Sequence, residues 1–150
     1  MNRILTVLAA IGIAVGGYIH FHLWQGVYHH APIREMFVLN VVVSAFLAIA
    51  VFIPTRVAAL AGAALAAGSL AALGLSRIAS LPTPHGRWSE VGLAPGGQTF
   101  FGVSDTLIVI VAEALALVAC LALLAVRSRN AVATVTRRRS AAVPQWSMPL

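Results

Sequence analysis

Thr106-Leu-Ile-Val-Ile-Val-Ala-Glu113-Ala-Leu-Ala-Leu-Val-Ala-Cys120-Leu-Ala-Leu-Leu-Ala-Val126 is an apolar run broken by one charged side chain, Glu113. A helix rises 1.5 Å per residue and needs roughly 20 apolar residues to cross the hydrocarbon core of a bilayer, so this run has the length of a membrane span. Three more stretches share its character, residues 4–24, 36–53 and 57–79. They are rich in Ala, Leu, Val and Gly and lack the alternation of lipid-facing and lumen-facing residues that an outer-membrane barrel requires. Backbone polar groups in lipid must be satisfied internally, so the expected fold is all-α, a polytopic transmembrane four-helix bundle.

Composition agrees with that expectation. The chain of 150 residues is 60% hydrophobic and 9% charged, and its mean hydropathy is +0.93. An ordinary soluble domain carries about 25% charged residues, and a small one buries only around two-thirds of the surface its unfolded chain exposes. A water-soluble fold of this size is therefore excluded. A secretory signal over the basic start and the run 4–15 is a rival for the first span. The apolar stretch continues through Tyr18 to Trp24 without a small-x-small cleavage site, which favours a retained helix.

The connections are unequal. Pro54, Thr55 and Arg56 leave room only for a tight turn, so the second and third helices should be antiparallel neighbours. Residues 80–104 contain Pro82, Pro84, Pro95, Gly86, Gly96 and Gly97 and read as an exposed loop. Arg3, Arg56, Arg127, Arg129, Arg137, Arg138 and Arg139 gather at one set of helix ends, whereas Arg34, Arg77 and Arg87 lie at or near the other. The positive-inside rule then predicts a multi-pass protein of the cell membrane with both termini cytoplasmic. Residues 127–150 carry five of these arginines and end in Pro144 and Pro149, a pattern expected to be a disordered tail. Arg127, Arg129, Arg137, Arg138 and Arg139 are assigned to anionic lipid head groups, worth about 1 kcal/mol per basic residue near the surface. Nucleic acid is not expected as a partner, because no base-reading or aromatic motif accompanies the charge.

All five histidines, His20, His22, His29, His30 and His85, fall at the ends opposite the arginine clusters. His22, His29, His30 and His85, with Glu90, are the candidate ligands for zinc or copper. His20 and His22 point about 200° apart on a regular helix and cannot share one ion. Aromatic and histidine enrichment at a membrane interface is the competing explanation. Haem needs axial histidines from facing helices, and only the first helix carries any. The single Cys120 supports neither a disulfide nor a thiolate site.

The polar residues at depth are His20, His22, Asn40, Arg77 and Glu113, a candidate intramembrane cluster with Ser44 one turn beyond Asn40. An ionisable side chain at a helix centre costs about 2.5 to 3.5 kcal/mol on insertion scales. Glu113 is thus a functional candidate, or else a register pin that pairs with Arg77 or His20. Gly12 and Gly16 form a small-xxx-small pair in the first helix. Ala58, Gly62 and Ala66, and Ala64, Gly68 and Ala72, give the third helix two small faces, read as packing surfaces within the chain rather than as a homodimer interface.

His20-Phe-His-Leu-Trp24, Gly26-Val-Tyr28, Ala31-Pro-Ile33, Met36-Phe-Val-Leu-Asn40, Val91-Gly-Leu93 and Gly102-Val-Ser-Asp105, with Glu113 eight residues on, resemble a group of small four-helix actinobacterial membrane proteins. The resemblance covers most of residues 16–126 and implies the four-helix topology without an activity. It departs at Ala31-Pro32-Ile33, where the group has Ile-Pro, and at the added His29-His30. No G-x-S-x-G, C-x-x-C, P-loop or H-E-x-x-H is present, and Ser104-Asp105 reads as a helix start, so the sequence leans away from an enzyme. Three functions remain. They are a structural or accessory membrane component with an outward polar and histidine face, a metal- or haem-binding redox module, and a small-molecule carrier using Glu113 and Asn40. No repeat relates the two helix pairs, which weighs against the carrier.

Overall fold

The computed structural model describes residues 2–26, 33–78, 82–83, 86–87, 99–100 and 103–141. Four helices dominate: α1 (Asn2–Gly26), α2 (Ile33–Ala50), α3 (Arg56–Ile78) and α4 (Asp105–Ala141). Between α3 and α4 lie two antiparallel pairs of two-residue strands, β1 (Pro82–Thr83) with β2 (Gly86–Arg87), and β3 (Thr99–Phe100) with β4 (Val103–Ser104). The segment read as irregular loop therefore carries two minimal hairpins, and the fold is nearly all helical. Among the described residues three helices, α1, α3 and α4, are long and apolar enough to cross a membrane. In α2 the charged pair Arg34 and Glu35 occupies the first turn, and the uncharged stretch 36–50 rises only about 22 Å.

Local chemistry explains the boundaries. The second helix was expected to reach residue 53 but ends at Ala50, because Pro54 has no N–H for the Ala50 carbonyl four residues back and its ring clashes with it. The chain tightens there through bonds from Phe52 N to Ile49 O (3.1 Å) and Ile53 N to Ala50 O (2.9 Å). Past Pro54, the Thr55 hydroxyl accepts from Ala58 N at 3.3 Å, capping α3 as threonine does at helix starts. The last helix does not stop near Val126. It continues to Ala141, so the first part of the basic segment expected to be disordered is helix, and α4 is about 56 Å long.

Packing follows the small residues. The helix α4 lies between α1 and α3, α1 also packs on α2, α2 meets α3 more lightly, and α1 barely touches α3 across the diagonal. The turn does make α2 and α3 antiparallel neighbours, but their shared face is the loosest of the four. The interior is built from Ala9, Ile13, Ala59, Ala66, Ala116, Cys120 and Leu123. At Gly12 a Cβ would lie 2.8 Å from both Ala112 O and Ala116 N, so α1 and α4 touch backbone to backbone. Ala58, Gly62 and Ala66 are buried as expected. The other small face of α3 is not a packing surface: Ala64 is exposed, and a Cβ on Gly68 would meet nothing within 4 Å.

The large side chains point the other way. Phe46, Ile49 and Val57 are 72%, 74% and 75% exposed, so the interior is made of small residues and the exterior of bulky apolar ones. Soluble monomers rarely expose continuous apolar surface on this scale, and the arrangement is compatible with a lipid surround. At the arginine-rich end, Arg127 ties α4 to the turn between α2 and α3. Its Nη1 donates to Thr55 O, its Nη2 to Val51 O at 3.0 Å, and Arg56 Nη2 returns to Ser128 O at 3.4 Å.

Candidate interhelical polar site

Register along the antiparallel helices sets the level of the site. Gly16 lies thirteen residues beyond Arg3, Ser69 thirteen beyond Arg56, and Glu113 fourteen before Arg127. At 1.5 Å per residue each stands about 20 Å from the arginine-rich end, and the tertiary fold brings all three together.

A directional chain of hydrogen bonds results. The Ser44 hydroxyl donates to Asn40 Oδ1 at 3.1 Å, one turn away on α2. The Asn40 amide crosses to α3 and donates from Nδ2 to Ser69 Oγ at 3.0 Å. Ser69 then hydrogen-bonds the Glu113 carboxyl of α4. A serine hydroxyl can accept from Asn40 and still donate to an ionised Glu113 carboxylate. Glu113 and Ser44 are both 2% exposed, the buried polar side chains of the core. A polar group without a partner in such surroundings costs about 1–3 kcal/mol, and the chain removes that penalty at each of its members.

The first helix closes the site with glycine. A Cβ on Gly16 would lie 2.8 Å from Glu113 Oε1, and one on Gly17 would lie 2.6 Å from Ser44 Cβ. These adjacent glycines face different partners, α4 and α2, so α1 seals both ends of the chain by bare backbone. One turn above, His20 Nδ1 donates to Gly16 O at 2.7 Å. A carbonyl only accepts, so the proton is on Nδ1, and the His20 ring tilts against Phe37 of α2 at 5.3 Å between centroids.

The expected cluster is thus partly assembled. Asn40 and Glu113 belong to one network, with Ser44, and His20 sits a turn above it. The described partner of Glu113 is Ser69, not His20, whose Nδ1 is engaged by its own helix. Arg77 stands in the last turn of α3, two turns or about 12 Å along the axis from Ser69, and its side chain lies outside the described residues. The region around His22 is aromatic: Phe21 and Trp24 rings lie 5.5 Å apart, and the Arg34 guanidinium stands 5.6 Å over the Trp24 ring. Among the described residues Trp24 Nε1 is buried without a hydrogen-bond partner. Among the described residues no three His, Cys, Asp or Glu come together as a metal group. His29, His30, His85 and Glu90 lie outside those residues.

Ser69 was missed in the sequence. It is the lone polar residue of residues 57–75, set in a run of Ala, Gly and Leu. A single hydroxyl in an otherwise apolar helix was the available signal, but serine is common in helices, and only the placement of Asn40 and Glu113 on either side gives it meaning. Gly17 was missed for a related reason: the four-residue rhythm of Gly12, Gly16 and His20 drew the reading to one stripe. Comparison of the chain with family models, curated proteins and solved structures finds no match.

Proposed function

We propose that this chain is a multi-pass membrane protein, a four-helix bundle with both termini cytoplasmic, serving as a structural or accessory component whose histidine end faces outward toward a partner. The reading includes α2 as the fourth span and kinship with the actinobacterial group it resembles. One observation carries it: the buried Glu113 ends a hydrogen-bonded chain, Ser44 to Asn40 to Ser69 to Glu113, that links three helices. Polar groups turned on one another in this way specify helix register, a role known for buried polar residues in other bundles. In water the large apolar exterior would aggregate, and a bilayer is the solvent it suits.

Replacement of Glu113 tests the reading. Glu113→Gln retains an acceptor for Ser69 at nearly the same size, so expression in membranes, the thermal midpoint in detergent and the amount of co-purified partner should stay close to wild type. Glu113→Leu strands the Ser69 hydroxyl and crowds Gly16. Its midpoint should fall by several degrees, equivalent to about 1–3 kcal/mol. Proton or solute flux in proteoliposomes that Glu113→Gln abolishes, with assembly intact, would overturn the structural role in favour of a carrier. Stoichiometric metal or a Soret band in the purified protein would do so in favour of a redox module.

A further inference from the structure

The arginine clamp at the turn between α2 and α3 gathers more charge than the chain balances. Arg127 donates to Val51 O and Thr55 O, while Arg56, next to Thr55, donates to Ser128 O, next to Arg127. These crossed bonds set two guanidinium groups side by side. Their partners are backbone carbonyls, which accept hydrogen bonds and neutralise neither cation. A guanidinium carries five N–H donors, so the clamp leaves donors spare on Arg127 and more on Arg56, the more exposed of the pair. Counter-charge is missing from this end among the described residues. Of the four acids in the sequence, Glu35 lies in the first turn of α2 and Asp105 opens α4, both at the opposite end. Glu113 is buried about 20 Å along α4 from Arg127, and Glu90 lies outside the described residues. Like charges held this close repel, so the pair calls for an anion from outside the chain.

We infer that Arg56 and Arg127 together bind the phosphate of an anionic phospholipid, with an acyl chain laid along the exposed face of α3. Phosphate oxygens match the planar fork of arginine and accept from several N–H groups at once. The surroundings select a lipid over a free anion. Phe52 and Ile53, in the turn itself, are 58% and 56% exposed, so the cations stand beside bare apolar surface. Toward the middle of α3 the exposed face continues from Arg56 through Leu60, Ala64, Ala67 and Gly68, and a Cβ on Gly68 would meet nothing within 4 Å. Small side chains there leave room for a hydrocarbon chain close to the helix backbone. The stretch from Arg56 to Gly68 rises about 18 Å, a little more than half of the roughly 30 Å hydrocarbon core, the depth that a chain from the same leaflet reaches. The clamp makes this a defined site, unlike the general attraction of a basic segment to anionic head groups. Arg129, two residues from Arg127, points about 200° away from it on the helix and takes no part.

The inference rests on the membrane reading, and the test separates the two. Alkaline extraction of native membranes comes first, and loss of the protein to the supernatant would refute the membrane reading on its own. Full-length protein from the retained fraction is delipidated in detergent at about 0.15 M salt, where exposed charges more than about 8 Å apart are screened. It is then titrated with dioleoyl phosphatidylglycerol, dioleoyl phosphatidylcholine or inorganic phosphate while the thermal midpoint is followed. Phosphatidylglycerol should raise the midpoint by several degrees, and native mass spectrometry should find one molecule of it held on the 15.7 kDa chain. Phosphatidylcholine and inorganic phosphate should do neither. Arg56→Gln, which leaves the Arg127 clamp in place, should weaken phosphatidylglycerol binding about tenfold or more, with the lipid-free midpoint near wild type. Leu60→Glu sets a carboxylate one turn from Arg56, supplies the missing counter-charge and should abolish the shift. Arg129→Gln removes an equal charge off the site and should leave binding nearly unchanged. Equal response to phosphatidylcholine or to inorganic phosphate, equal loss in Arg129→Gln and Arg56→Gln, a full shift in Leu60→Glu, or no shift with any of the three ligands overturns the lipid site.

Discussion

At the scale of single residues, the glycines of α1 and α3 are distinguished by what a methyl group would strike. Gly12 faces the backbone of α4, which cannot yield, whereas Gly16 faces the end of the Glu113 side chain, which can rotate. Gly12→Ala should therefore lower stability by about 1–3 kcal/mol, the usual cost of overpacking, read as a lower thermal midpoint in detergent. Gly16→Ala should cost less, and Gly68→Ala, with open space around it, should hold or raise the midpoint because alanine is the better helix former. A Gly68→Ala variant as damaged as Gly12→Ala would mean that the exposed face of α3 is covered after all. Sequence reasoning found Gly12 and Gly16 from their spacing but ranked Gly68 beside them, since spacing reports only that a face is small and not whether anything approaches it.

At the scale of elements, α4 and the turn between α2 and α3 depend on each other. The turn between α2 and α3 presents its own carbonyls, and Arg127 satisfies Val51 O and Thr55 O with one guanidinium. This is a structural use of a side chain that composition alone assigned to lipid head groups. Hydrogen bonds from a charged donor are worth about 1.5–3 kcal/mol at the upper end, and the exposure of the Thr55 contact lowers that figure. Arg127→Ala should cost about 1–2 kcal/mol in detergent unfolding. Arg127→Lys should recover only part of it, because an ammonium lacks the planar fork that reaches two carbonyls. Equal stability of all three proteins would show the clamp to be idle. Beyond the clamp α4 continues as helix to Ala141.

At the scale of the whole molecule, the arginine-rich and histidine ends become the two sides of a membrane under the proposed topology. Cys120 is buried, so a cysteine placed at either end can be labelled separately with a membrane-impermeant maleimide. His85→Cys should react in intact cells, and Asn130→Cys only after permeabilisation; the reverse pattern would invert the orientation. The run 106–126 and its three counterparts were legible as helices because hydropathy and length are local properties, and the arginine asymmetry was legible because charge needs no fold to be counted. Asn40 and Glu113 could be picked out individually, since an amide or a carboxyl in an apolar run is conspicuous wherever it points, as a small hydroxyl such as that of Ser69 is not. The sequence by itself determined helix number, the small-residue character of the interior and the two unlike ends. Only the tertiary structure decided that Ser69 joins Asn40 to Glu113, that Gly16 and Gly17 seal that chain, and that Ala64 and Gly68 are left exposed. The physical reason is that register between helices is set by contacts between residues dozens of positions apart, such as Gly12 on Ala116 and Arg127 on Val51, and no periodicity within one helix encodes them.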